Sequence, residues 1–136
     1  KPLAFGTVGG VPLFGLPGNP VSCLVNFLQF VRPWMRTALG DPRPFLPVVD
    51  AVAGEDLQSR PGRARLDRVC LARGDDGRWV ASSTGLQSSG AIVSMARAHG
   101  LLCIAADERG PRAGERCRVQ LLDPSFLDGV DADYGW

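Results

Sequence analysis

The sequence predicts an α+β chain in two parts, a strand-and-helix segment followed by a small β-barrel or sandwich. Three observations lead there. Two short apolar runs set around glycines precede a long stretch of helical periodicity. Pro42, Pro44 and Pro47 then interrupt the pattern within a few residues, and five short apolar or alternating runs bounded by Gly, Pro or Asp fill what remains. With 136 residues, 45% apolar and 21% charged, the chain has the composition of a folded protein with a core, not of a disordered one.

Taken in order, Pro2–Phe5 and Val11–Phe14 read as strands joined by a tight turn at Gly9 and Gly10. A helix is expected over Val21–Leu39, with Asn19 as its N-cap, Pro20 as its first helical residue and Gly40 as its stop. Leu24, Val25, Phe27, Leu28, Val31, Trp34, Met35 and Leu39 recur at spacings of three and four, which predicts one broad buried face. Pro33 lacks an N–H and should kink the helix or split it after Arg32. The stiff proline segment marks a boundary between domains 1–46 and 47–136. Residues 1–46 are too few to build a core alone and open within a strand pattern, as the end of a larger domain would.

In the second part the expected strands are Val48–Val52, Arg63–Leu71, Trp79–Ser83, Leu101–Ala105 and Arg116–Leu122. Asp75, Asp76 and Gly77 make a hairpin turn. A short helix is expected over Ala91–Ala98, capped by Ser88 or Ser89 and stopped by Gly100. The tail 123–136 carries Asp123, Asp128, Asp131 and Asp133; it reads as a mostly disordered terminus with Phe126 or Trp136 tucked against the barrel.

A formal charge of +1 provides no global field to gather nucleic acid or anionic lipid. All but Lys1 of the 15 basic residues are arginines, side chains suited to local contacts with carboxylates and phosphates. No signal peptide and no apolar run of membrane-spanning length is read, so the expectation is a soluble cytoplasmic protein. Cys23, Cys70, Cys103 and Cys117 form no CxxC pair, and His99 is the sole histidine, so a zinc site is not expected. The cysteines sit among apolar neighbours like buried free thiols of a reducing compartment. His99, before a glycine at a helix end and without a GxSxG serine, reads as a cap or surface residue. No acidic pair has the spacing that acid/base work demands.

Two segments are suited to chemistry. Gly15–Ser22 (GLPGNPVS) feeds a glycine-containing turn into a capped helix start, where free backbone N–H groups and the helix dipole favour an anion. The same residues also make a rigid strand-to-helix elbow in which Asn19 simply caps, and from the residues alone that is the commoner arrangement. Thr84–Gly90 (TGLQSSG) is a polar loop at a second helix start, able to hold an oxyanion with help from Arg68, or else only to cap. Arg60, Arg63, Arg65 and Arg68 form either a basic strip or, more commonly, a solvated strand face.

Together these motifs resemble a known family. KPLAFG at Lys1–Gly6, the Gly9–Gly10 turn, GLPGNPVS at Gly15–Ser22, Val31-Arg32-Pro33, TGLQSSG at Thr84–Gly90 and AGERCRV at Ala113–Val119 are similar, in order and spacing, to the carboxy-terminal part of the MoeA family of molybdopterin molybdenumtransferases. The resemblance implies that residues 1–46 end a MogA-like α/β molybdopterin-binding domain and that residues 47–136 form the terminal β-barrel domain. It implies an enzyme that inserts molybdate into adenylated molybdopterin and releases AMP, working as a homodimer with magnesium. By the same resemblance Pro17, Pro20, Arg68 and Ser89 serve the reaction, while Lys1, Gly18, Asn19 and Ser22 contact substrate. The metal-binding acids of the family lie upstream of Lys1, so the chain alone is expected to be inactive. His99 stands where the family has Asn. The competing expectation is a protein-interaction module like the gephyrin relatives, whose signature would be an exposed apolar groove.

Overall fold

A computed structural model describes residues 3–88 and 91–127. The chain forms two compact units, one running to Phe45 together with Ser88–Ile92, the other comprising Leu46–Gln87 and the chain from Val93 on.

The first unit begins with an antiparallel hairpin of β1 (Ala4–Val8) and β2 (Val11–Gly15), in register Val8↔Val11 to Ala4↔Gly15. A two-residue connection of this kind needs positive φ at both positions to match the twist of the strands, and Gly9 (56°) and Gly10 (80°) supply it. From Pro20 the chain is helical to Ala38, but in three pieces: α1 (Pro20–Asn26), a π turn (Phe27–Val31) and α2 (Arg32–Ala38). The expected break at Pro33 is absorbed one turn earlier. The Arg32 N–H bonds to the Phe27 carbonyl, five residues back, so the helix widens ahead of the proline and resumes with Pro33 in its first turn, where no N–H is needed. Gly40 then stops the helix: its N–H bonds to the Thr37 carbonyl (3.0 Å) and that of Asp41 to Arg36 (2.9 Å), the paired bonds of a Schellman end, and the Arg36 and Asp41 side chains pair across it.

The broad buried face expected of this helix is not found. Val21 and Pro33 are buried, but Leu24, Phe27, Phe30, Trp34 and Met35 are exposed and Leu39 is 84% exposed. The hairpin is the sheet layer of this unit, and two strands are too narrow to cover a stripe of that width. Phe14 does reach across, edge-on to Trp34 at 5.6 Å and beside Phe5 at 4.9 Å, yet Phe5, Val8, Val11 and Leu13 on the hairpin are themselves exposed.

The second unit is a closed five-stranded barrel in the order β3 (Val48–Ala53), β5 (Trp79–Ser83), β4 (Arg65–Arg73), β6 (Gly100–Ile104), β7 (Arg116–Leu121). All neighbours are antiparallel except β3 and β5, which close the barrel in parallel at Val52↔Val80 and Ala53↔Ala81. Alternation along each strand sends Ala51, Val69, Leu71, Ala81, Leu102, Ile104, Val119 and Leu121 inward, where they form the core. The short helix is α3 (Ile92–Ala96). Gly100 does not stop it; the glycine opens β6, where a Cβ would lie 2.3 Å from Val119 Cγ1. Phe126, in the 3₁₀ turn Pro124–Leu127, packs on the core beside Trp79 (5.1 Å between rings). Trp136, Tyr134 and the acidic residues beyond Leu127 lie outside the described residues.

Candidate functional site

Arg68 lies on β4 between the inward-facing Val69 and the half-buried Asp67, and is only 4% exposed. It is a buried cation, and the reason is the loop that follows β5. The β4–β5 ladder ends at Val69↔Ser83, and the chain then turns at Gly85, back over Arg68. The Arg68 guanidinium donates through Nη2 to the Leu86 carbonyl (3.0 Å). Its backbone N–H donates to Gln87 Oε1 (3.0 Å), and its carbonyl accepts from Gln87 Nε2 (2.9 Å) and from the N–H and hydroxyl of Thr84 (3.3 Å each). At the root of the loop, Glu55 accepts the Ser83 N–H (2.7 Å) and the Ser83 hydroxyl accepts the Gly85 N–H (3.0 Å). Burial pushes the Arg68 guanidinium below its ordinary value, and the charge of Asp67 offsets part of this; an arginine so placed stays charged.

The other arginines of the expected strip do not join it. Arg60 and Arg63 are exposed ahead of β4, and Arg65 clamps Asp67 with two bonds, Nε to Oδ1 (3.2 Å) and Nη2 to Oδ2 (2.7 Å). The strand begins two residues later than expected, so only Arg65 and Arg68 of the four fall on it, and these two point to opposite faces.

In the first unit, Gly15–Ser22 is the elbow from β2 into α1. Asn19 sits in the extended region, its Oδ1 accepting the Ser22 N–H at 3.4 Å, and its carbonyl receives the first helical bond from Cys23 (2.8 Å). Asn26 donates from Nδ2 to the Ser22 carbonyl (2.7 Å), tying the first turn to the next. Pro17 is half-buried and Gly18 and Pro20 exposed, so the elbow's prolines fix backbone shape and its polar side chains are Asn19 and Ser22. Lys1 and Ser89 lie outside the described residues.

Sequence reasoning missed Gln87, Glu55 and the true place of His99. The histidine is exposed, as a surface residue is expected to be, but it is not a helix cap and it makes specific contacts. Its Nδ1 accepts the Leu71 N–H (3.0 Å), and its ring stacks on Phe126 at 4.6 Å, which holds the 3₁₀ turn on the barrel. No local pattern announces a contact that spans 28 residues. The four cysteines are free but half-buried, not fully buried; burial raises the Cys103 and Cys117 thiols above their ordinary range, and the Asp50 charge adds to this at Cys117. A groove of about 400 Å³ beside them is lined chiefly by charged side chains, among them Asp50, Glu108, Arg109, Glu115 and Arg118. Among the described residues no group of three or more His, Cys, Asp or Glu side chains is placed to hold a metal ion, and no helix is long and apolar enough to cross a membrane.

Residues 50–122 match the family model described as the MoeA C-terminal region (domain IV). Among curated proteins, the chain is 38% identical over 118 residues to molybdopterin molybdenumtransferase 2 of Mycobacterium tuberculosis, covering 87% of this chain and 28% of that protein. It is 32% identical over 110 residues to the molybdopterin molybdenumtransferase of Bacillus subtilis, covering 81% and 25%. Among solved structures, a molybdopterin biosynthesis moeA protein from Pyrococcus horikosii superposes with a TM-score of 0.69 at 31% identity, over 90% of this chain and 29% of that one. A molybdenum cofactor biosynthesis protein from Pyrococcus furiosus gives 0.65 at 29% identity, over 86% and 40%. The chain thus spans little more than a quarter of the curated relatives it matches.

Proposed function

The chain belongs to the MoeA family, matching its C-terminal region (domain IV), and on that premise we propose that it is the C-terminal part of a molybdopterin molybdenumtransferase. In this reading the whole enzyme is a cytoplasmic homodimer that inserts molybdate into adenylated molybdopterin and releases AMP. The observation that carries it is the buried Arg68 cation and the hydrogen-bonded loop it anchors, lying inside the stretch that the family model matches.

The physical logic is that every substrate group is anionic: molybdate, the phosphoanhydride to AMP and the phosphate of the pterin. Positively charged side chains and fixed N–H donors stabilise such groups best when they need not reorganise. Arg68 then acts less as an open hand than as an anchor, its charge fixed behind the Thr84–Gln87 loop. Ser89, two residues past Gln87 in sequence, and Lys1 are proposed to meet the substrate, with Gly18, Asn19 and Ser22 at the elbow and Pro17 and Pro20 setting its shape. Among the described residues no group of acidic side chains is placed to hold magnesium, and the metal is proposed to be held by residues upstream in the whole enzyme. Likewise residues 1–46 are proposed to complete a MogA-like domain. The apolar stripe of Phe27, Phe30, Trp34 and Leu39, left open by the hairpin, is what the edge of such a layer looks like before its neighbours are added.

Arg68→Ala in the full-length enzyme tests the reading. Displacing the loop by about an ångström should lower molybdate-dependent AMP release about a hundredfold, while Arg68→Lys recovers part of it. The purified 136-residue chain should release no AMP from adenylated molybdopterin. Activity of Arg68→Ala within twofold of the parent, with the barrel intact, would sink the assignment of this loop to the active cleft.

A further inference from the structure

Resting on that reading of Arg68, we infer that Gln87 is the positioning residue that fixes Arg68 and the loop over it. On β4, the backbone N–H and carbonyl of Arg68 face the β5 side, one step past the last ladder pair, Val69↔Ser83. The chain after β5 answers one of them, the Thr84 N–H donating to the Arg68 carbonyl at 3.3 Å, and then turns away at Gly85. The Gln87 carboxamide meets both groups, supplying the acceptor the strand does not and sharing the carbonyl with Thr84: Oε1 accepts the Arg68 N–H at 3.0 Å and Nε2 donates to the Arg68 carbonyl at 2.9 Å. That is the two-bond exchange a hydrogen-bonded pair makes across an antiparallel ladder, here made by one side chain.

The residue type is dictated by the task. A planar carboxamide carries an acceptor and donors on one group; a carboxylate lacks the donors, and an aliphatic chain of the same length lacks both. Asn is a methylene shorter. The spare Nε2 proton lies toward Ser83 Oγ (3.3 Å) and Thr84 Oγ1 (3.5 Å), so the same amide gathers both ends of the loop. Arg68 closes the circle, because its guanidinium binds the carbonyl of Leu86, the residue just before Gln87. The side chain of 87 holds the backbone of 68, and the side chain of 68 holds the backbone of 86. Neither can move without the other, and both lie in the barrel unit. A loop that must meet an anion at a fixed distance gains its precision from this reciprocal pair.

Two measurements test it. In the 136-residue chain, amide hydrogen exchange followed by NMR should be faster at Arg68 by about tenfold in both Gln87→Ala and the bulk-preserving Gln87→Met, as expected for loss of one buried hydrogen bond, with the Val119 core amide unchanged. In the full-length enzyme, Gln87→Met and Arg68→Lys should each reduce molybdate-dependent AMP release about tenfold or more, and the double variant should be no worse than Arg68→Lys alone, because the two residues act as one unit. Unchanged exchange at Arg68 overturns the inference whatever the activity does. Faster exchange with additive losses in the double variant overturns the positioning role. Faster exchange with Arg68→Lys fully active marks a different failure: the reading of Arg68 falls, and the inference with it.

Discussion

Gly100→Ala is the sharpest test of the barrel that carries the site. Gly100 is buried at the start of β6, opposite Leu121 of β7. A methyl group there would lie 2.3 Å from Val119 Cγ1 and 2.8 Å from the Gln120 carbonyl oxygen. Ordinary carbon–carbon contact is about 3.5 Å, so β6 and β7 must part by about 1 Å. Val119 is fully buried and has no solvent to rotate into, and the Gln120 oxygen is backbone, which no rotamer change can move. Overpacking of this kind costs about 1–3 kcal/mol, and two clashes at once place the substitution near about 3 kcal/mol. Urea unfolding followed on the Trp79 indole signal, which reports on the barrel core, measures it. Adding Val119→Ala removes the closer clash but not the backbone one, so the double variant should lose less than the sum of the singles. A loss below about 1 kcal/mol for Gly100→Ala would refute the packing of β6 on β7 described above. The consequence reaches the site, because Arg68 faces Leu101, the next residue of β6.

Phe126→Ala removes the ring that bridges Trp79 and His99. Phe126 is half-buried, so the cost should fall below that of a core phenylalanine, at about 2 kcal/mol by urea unfolding; no measurable loss would mean that the 3₁₀ turn does not dock. Cys103 and Cys117 should resist alkylation at pH 8 far more than the same thiols in the unfolded chain, because burial holds them protonated. The linked effect on stability has a definite sign. A thiol whose native value is raised leaves stability undiminished below the ordinary thiol range and lets it fall as pH rises through that range, since the unfolded chain loses its proton first. Cys103→Ser with Cys117→Ser should flatten the alkaline limb of a stability–pH curve, and a limb of unchanged slope would remove the thiols as its cause.

The local grammar of the chain was written plainly. Paired glycines make the hairpin turn, Asp76 and Gly77 the next, and period-two alternation puts Val69, Leu71, Val119 and Leu121 inside the barrel. What could not be read depends on neighbours distant in sequence. Helical periodicity in Phe27–Leu39 reports which face is apolar, but burial requires a partner layer, and the hairpin is too narrow to provide one. Gly100 reads as a helix stop because stopping helices is the commonest local work of a glycine; its actual constraint comes from Val119, across the barrel wall. Pro33 announces a broken hydrogen bond but not where the helix will widen to accommodate it.

Arg68 shows why residue type alone misplaces a side chain. An arginine invites a direct ion pair with an anion, and an exposed arginine could make one only through water and salt that screen its charge. Burial changes the balance. Desolvation makes the cation costly, as the lowering of its proton affinity records, and the Leu86 carbonyl and the neighbouring charge of Asp67 offset that cost. In return the charge sits in a medium of lower effective dielectric, where its field weakens more slowly than in water and its direction is fixed by the loop it holds. On the proposed reading, an internal cation of this kind favours an anion brought against the Thr84–Gln87 loop without having to touch it. In that reading the hydrogen bonds that hold Arg68 are part of the same device as its charge, and the neutral Gln87, three residues beyond Thr84, makes two of them.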